Sequence, residues 1–340
     1  MDKVIYLFGA GASYGSREQD KNGKDIFGHI KRGLPVVNEL EIAIDNYLSK
    51  FRSPISFPGE TREHPYPKLY EELSWLRDKC KEYPTIDTYA KQLSVRFLLY
   101  ELTRLKNALS VYFSLIQKPA TRDLRYDGFV ASLIGNDGNL PDNISILSWN
   151  YDCQFEYVLN DFSMAHKDVN KVWLDNNIGA KNVLLPEHHE QSVFYKLNGT
   201  ALISSLNNHS NLIDTASFDP QYAEKVLSDK NNAFKSNISF AWEENDRMMN
   251  EYVSNLVAQG TVLVVVGYSF PYVNRMVDKL IVNGMPNLKH IYIQDISSFD
   301  VKQSLESILS PDNQTKLKNG ILKIDCRESV KQFLIPAELA

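Results

Sequence analysis

Four short apolar runs organise the chain, each ended by glycine or a polar residue. Lys3-Val-Ile-Tyr-Leu-Phe8 stops at Gly9-Ala-Gly-Ala-Ser13, and Ile144-Ser-Ile-Leu-Ser148 stops at Trp149-Asn-Tyr-Asp152. Thr261 to Val266 stops at Gly267-Tyr-Ser-Phe270, and His290 to Gln294 stops at Asp295. Nearly continuous runs of this length predict strands of a parallel sheet buried on both faces, not the alternating strands of a half-exposed sheet. Two further strands are expected at Val193–Leu197, ending at Asn198-Gly-Thr200, and at Ile321–Ile324, followed by a short helix.

Helical patterns cover 35–51, where Pro35 stands near the start and loses nothing by lacking an N–H, and also 67–80, 154–159 and 233–259. Residues 14–33 are polar and read as a long loop with room for a short helix, and the prolines within 52–66 mark a connector. No Gly or Pro interrupts the stretch between Pro84 and Pro119. Within it Leu98, Leu102, Leu105, Leu109, Tyr112 and Ile116 recur at helical spacing, which predicts one helix of about 32 residues and roughly 48 Å. Such a helix belongs either to a bundle inserted in the α/β core or in part to a contact with another subunit. Strands separated by helices predict an α/β protein with helices on both sheet faces.

Composition adds mainly exclusions. Hydrophobic residues make up 43% and charged residues 23% of 340, which suits a folded chain. The net charge of −5 makes direct nucleic-acid binding an unfavoured expectation. Cys80, Cys153 and Cys326 form no CxxC pair, so a four-cysteine zinc module is not expected, and the pattern suits a reducing compartment. The apolar runs are too short for a signal peptide or a membrane span, so the expectation is a cytoplasmic protein without membrane contact.

Ligands of open parallel sheets bind outside the carboxyl ends of the strands, and here five such ends carry small or polar residues. Gly9-Ala-Gly-Ala-Ser13 is either a phosphate loop or a tight turn; Tyr14 stands where a dinucleotide fingerprint needs a third glycine. Asn150 has a plainer reading as a turn residue, and Asp152 as a cap for the helix that follows. Ser269 and Asp295 have similarly ordinary readings as turn residues.

Taken in order, GAGAS (9–13), GLP (33–35), WNYD (149–152), KLNG (196–199) and GYSF (267–270) resemble the sirtuin-like family, and within it the prokaryotic sirtuin-like NADases of anti-phage defence. The resemblance spans about residues 3–36 and 142–300. It implies a Rossmann-type NAD-binding domain made of 1–37 and 138–340, interrupted by a helical module at 38–137. It implies that Gly9, Ala10, Gly11, Ser13 and Pro35 line the NAD phosphate side. Asn150 would touch the nicotinamide ribose and position the attacking group, with Asp152 orienting the pocket. Gly199 would belong to the same pocket, and Gly267, Ser269 and Asp295 (or Gln294) to the adenosine side.

Position 198 departs from the pattern. The family carries a histidine there, as KLHG, and that histidine is expected to act as a general base. Asn198 cannot take a proton at neutral pH, although it can hydrogen-bond. The expected activity is cleavage of the nicotinamide–ribose bond of NAD+, slow or absent unless another group substitutes. His188, His189 and His209 are possible substitutes by sequence position, with solvated loop histidines as the plainer reading. The alternative is a protein that binds NAD or a related nucleotide as a sensor or regulatory subunit. The missing zinc module weighs against acyl-lysine removal, and Tyr14 against a dehydrogenase. A toxic NADase needs control, so a homo-oligomer or a defence-system partner is expected.

Overall fold

The computed structural model describes residues 2–51, 64–136, 138–163, 168–181, 183, 194–206, 211–243 and 247–339. Residues 52–63 of the expected connector lie outside this set, as do Val193, His188, His189 and His209.

The predicted apolar runs pair into one sheet. Strands β1 (Val4–Phe8), β4 (Ile144–Ser148), β5 (Ile178–Ala180), β6 (Phe194–Lys196), β10 (Val262–Val266), β11 (His290–Gln294) and β12 (Lys323–Arg327) stand in the order β12-β11-β10-β1-β4-β6-β5. Every pair is parallel. The central strands are apolar throughout because helices cover both faces. On one face α5 (Leu124–Leu133), α6 (Gln154–Asp161) and α7 (Val169–Asp175) pack with Tyr6, Phe8 and Ile146. On the other, α9 (Arg247–Val257), α10 (Arg275–Asn283) and α11 (Ser298–Glu306) pack with Ile5, Leu7 and Val265. This is a Rossmann-type α/β fold. Among the described residues no helix is long and apolar enough to cross a membrane.

A second core joins α1 (Leu40–Ser49), α2 (Pro67–Glu82), α3 (Ile86–Val95), α4 (Leu99–Ile116) and α8 (Pro220–Leu227) to an antiparallel sheet. That sheet holds β7 (Gly199–Ser205), β8 (Asn211–Leu212) and β9 (Phe234–Ile238), in the order β8-β7-β9. The inserted helices therefore share their core with residues 199–240, while α5, from the same insertion, packs on the main sheet.

Four expectations change. The single long helix is two helices. The α3 segment ends in a closure where the Leu98 N–H donates to the Leu93 carbonyl, with Phe97 at φ 57°. Phe97 is not a residue that announces a break. The remaining α4 is about 27 Å long at 1.5 Å per residue, and Leu102, Leu105, Leu109 and Tyr112 are buried within the chain. That part of the stripe is consequently no subunit contact.

The polar stretch 14–33 is a hairpin, β2 (Ser16–Gln19) and β3 (Asp25–Arg32). Its turn is set by the Asp20 carboxylate, which accepts from the N–H groups of Asn22 and Lys24. Within 233–259, β9 precedes α9, because Phe234–Ile238 pairs with β7. The last strand begins two residues later than expected, and only a 3-10 turn, Ala337–Leu339, follows it.

Candidate functional site

Along the sheet Phe8 lies level with Ser148 on one flank and Val266 on the other, and Ser148 lies level with Lys196. The chain leaves β1 toward β4 and returns through β10 on the opposite side. The crevice between β1 and β10 is thus the topological switch point.

The loops after these two strands meet backbone to backbone. The Gly11 N–H donates to the Gly267 carbonyl at 2.9 Å. Gly267 has φ +59°, and a Cβ there would stand 2.4 Å from the Gly11 carbonyl carbon. A Cβ on Gly9 would stand 2.6 Å from the Gly267 oxygen. Only glycine allows this approach. Gly267→Ala is expected to lose about 1–3 kcal/mol through left-handed strain alone, and more by parting the loops. Chemical denaturation measures the loss, and an unchanged midpoint would disprove the close approach.

Ala10 opens a 3-10 turn, Ala10–Ser13, so its amide is one that the turn leaves without an internal partner. From α5, Arg125 donates to the Gly11 carbonyl at 2.9 Å and so holds the back of this turn. Pro35 is buried beside it, and the Leu34 N–H donates to the Ser13 carbonyl. The buried Arg17–Glu39 pair braces the hairpin on the same segment, and its guanidinium together with two backbone N–H donors holds the Glu39 carboxyl below its ordinary range.

The Ser13 hydroxyl is the hub of a buried network. It donates to Asp152 Oδ2 at 2.7 Å, receives the Asn150 Nδ2 donor at 3.0 Å, and meets the Tyr126 hydroxyl at 3.0 Å. Asn150 Nδ2 also donates to the Gly9 carbonyl at 2.8 Å. The other carboxylate oxygen of Asp152 accepts from the Gln154 N–H at the start of α6. Ser13 and Asp152 therefore fix the relation of the β1 and β4 loops, and Asp152 also caps. The hydroxyl of Ser13 and the amide of Gly11 are occupied by the protein itself, which leaves phosphate contact from this loop to Ala10.

Asn198 stands between the two sheets, after β6 and immediately before Gly199 opens β7. Gly199 has φ +70°, and a Cβ there would strike the Asn237 oxygen at 2.0 Å. Asn198 is 6% exposed; its Nδ2 donates to the Trp149 carbonyl at 3.2 Å, while its Oδ1 is buried with no partner. A buried acceptor without a donor is costly, and here it lies at a strand end.

On the adenosine side, Ser269 is exposed. Asp295 accepts from the Ser297 N–H at 2.8 Å, as a turn residue does. The Gln294 amide is taken up by the C-terminal segment, donating to the Ser329 and Gln332 carbonyls and accepting from the Leu334 N–H.

Sequence reading passed over two carboxyl groups whose proton affinity the fold raises. Asp278, on α10, is buried and accepts from the Tyr268 hydroxyl at 2.9 Å on both oxygens. The ring of Tyr268 stacks on Trp149, whose indole N–H turns toward Asp278 without good hydrogen-bond geometry. Burial pushes Asp278 up to about 8, so it is mostly protonated at neutral pH. Asp87, in the first turn of α3, is partly exposed, and desolvation raises it to about 6. No spacing distinguishes either residue from an ordinary helix-surface acid.

A recess of about 360 Å³ lies elsewhere, at the far end of β7, lined by Ser205, Tyr222, Lys225, Asp229 and Phe234 among others. It lacks the converging strand ends, so the switch point is the stronger candidate. Among the described residues no group of three or more His, Cys, Asp or Glu is placed to hold a metal ion. Compared with protein-family models and with curated proteins, the chain matches none.

Proposed function

We propose that this chain binds NAD+ across the β1–β10 crevice and hydrolyses its nicotinamide–ribose bond, in the manner of the sirtuin-like NADases it resembles. The observation that carries this reading is the meeting of the Gly9–Ser13 and Gly267–Phe270 loops at the switch point, flanked by Asn150 and Asn198. The glycine loops let backbone approach a pyrophosphate. Asn150 has its Nδ2 tied to both Gly9 and Ser13, which fixes the amide plane and leaves its Oδ1 for the ribose in this reading. Nicotinamide leaves as a neutral molecule, so the demand on the protein is to stabilise an oxocarbenium-like ribose and to activate water.

Its role would be depletion of NAD+ in anti-phage defence, held in check by a homo-oligomer or a defence-system partner. Exposed apolar side chains on the segments after β10 and β11, Tyr272, Met276, Ile296 and Phe299, support such control beside the site. The second reading, an NAD sensor without turnover, is favoured by Asn198, which offers no proton-accepting group.

Calorimetric titration with NAD+ and chromatographic detection of nicotinamide separate the readings. Binding with release of nicotinamide is expected. Binding without release would leave the sensor, and no binding would remove both.

A further inference from the structure

A buried stack ties the loop after β4 to the β10 side of the crevice. The Trp149 and Tyr268 rings lie 5.8 Å apart with an interplanar angle of 19°, and Phe270 meets Tyr268 edge-on at 4.9 Å. The Tyr268 hydroxyl stands 2.9 Å from each oxygen of Asp278, to which it donates, and receives the Asn274 Nδ2 donor at 3.0 Å. Asn274 immediately precedes α10 and Asp278 lies in its first turn, four residues on, so one helix face clamps the hydroxyl from two sides. Trp149, Tyr268, Asn274 and Asp278 are all buried. On the far side of the stack, the Trp149 N–H donates to the Phe8 carbonyl at 2.9 Å, and the Trp149 carbonyl accepts from Asn198 Nδ2 at 3.2 Å. The next residue is Asn150. A continuous run of printed contacts therefore leads from α10 to the two amides that flank the crevice.

We propose that Asp278 is a positioning residue: through Tyr268 and Trp149 it holds Asn150 and Asn198 where the ribose end of NAD+ meets them. The role rests on the NAD+-binding reading above. Packing alone does not call for a carboxyl here, since a Phe–Leu pair would fill the place of Tyr268 and Asp278 with no polar group to satisfy. Burial raises Asp278 from its ordinary 3.8 to about 8. Folding thus keeps on it a proton that the unfolded chain releases, and this group takes stability away as pH rises from about 4 to 8. Once ionised, the carboxylate can only accept, and no cation acts on it. The Trp149 indole N–H, buried without a partner, is the donor it would then draw, at the expense of the stack on Tyr268. Of the groups around it, Tyr268 is held well above its ordinary range, and Asp87, which also acts on Tyr268, is raised only to about 6. Neither changes charge near pH 8. Lys279 on the same helix and Glu251 on α9 are exposed, and Arg275 donates to the Ser307 carbonyl.

Calorimetric titration with NAD+ at pH 7 and pH 9 tests the role. If only the protonated form holds the loop, native affinity should fall about tenfold at pH 9, one unit beyond the midpoint. Asp278→Asn keeps a neutral side chain that accepts from Tyr268, so it should retain most of the affinity at pH 7 and lose the alkaline fall. At pH 9 it should also unfold at a higher urea concentration than the native chain. Asp278→Leu removes the acceptor and should weaken binding about tenfold at both pH values, with urea denaturation showing that it folds; if it does not, the pH profile of Asp278→Asn decides. Native affinity in Asp278→Leu, no alkaline fall in the native chain, or the same fall in Asp278→Asn overturns the positioning role and leaves NAD+ binding standing. A native chain that binds no NAD+ at either pH removes the reading of the site and this role with it.

Discussion

Histidine at position 198 is expected to raise NAD+ cleavage by roughly 10²–10⁴-fold over the native chain. The geometry favours the exchange. The Asn198 carbonyl accepts from the Ser239 N–H at 2.8 Å, and Gly199 holds the following turn, so the backbone at 198 is set independently of the side chain. Asn198 Nδ2 donates to the Trp149 carbonyl. An imidazole Nδ1–H can make that bond and so leave Nε2 as the free acceptor. In that overlay the ring Cδ2 takes the place of Asn198 Oδ1, which is buried without a donor, and Nε2 lies one bond further out. Single-turnover nicotinamide release for the native chain and the Asn198→His variant measures the gain. Equal rates for the two would sink the idea that position 198 is where the base acts.

Lys196→Met is expected to destabilise the fold by about 3–5 kcal/mol, the cost of leaving a buried charge without its partner. Lys196 is fully buried and donates to Glu156 Oε1 at 2.5 Å and to the Asp152 carbonyl. Burial pushes the Glu156 carboxyl up, while the partner acid holds Lys196 cationic. The second oxygen of Glu156 has no partner, so losing Lys196 strands the whole carboxyl. The Lys196→Met/Glu156→Gln double variant should recover much of the loss, since removing both charges removes the desolvation cost. Because Lys196 also holds the loop that carries Asn150 and Asp152, NAD+ affinity should fall in the single variant. Urea denaturation and calorimetry measure the two effects. A loss under about 1 kcal/mol would mean the pair is better solvated than its burial implies.

The main sheet was legible because its strands are buried on both faces. Val4–Phe8 and Val262–Val266 are apolar at every position, and each is ended by a glycine that no other residue could replace. The antiparallel strands were not legible in the same way. Phe234–Ile238 becomes a strand by pairing with Gly199–Ser205, about 30 to 40 residues earlier, and nothing local in Phe-Lys-Ser-Asn-Ile demands it. The hairpin within 14–33 is polar on much of its surface, and the buried Arg17–Glu39 pair holds it down. The stripe through Leu98 to Ile116 was read correctly as a helix face. Its extension back to Pro84 failed at Phe97, an exposed residue in the left-handed region where a local hydrogen-bonded closure ends the helix without a breaker residue.

Local chemistry by itself determined the parallel strands, their glycine ends and the presence of polar residues beyond them, because these follow from burial and backbone sterics along a few consecutive residues. Tertiary structure alone decided that Ser13 and Gly11 are spent on the protein's own bonds and that Asn198 Oδ1 is left without a donor. It also decided that Asp278 is sealed under Tyr268, whose ring stacks on Trp149. A carboxyl group on a helix has no special character until desolvation and its neighbours shift its proton affinity. Those neighbours come from loops, Trp149–Asp152 and Gly267–Phe270, that only the folded sheet brings together.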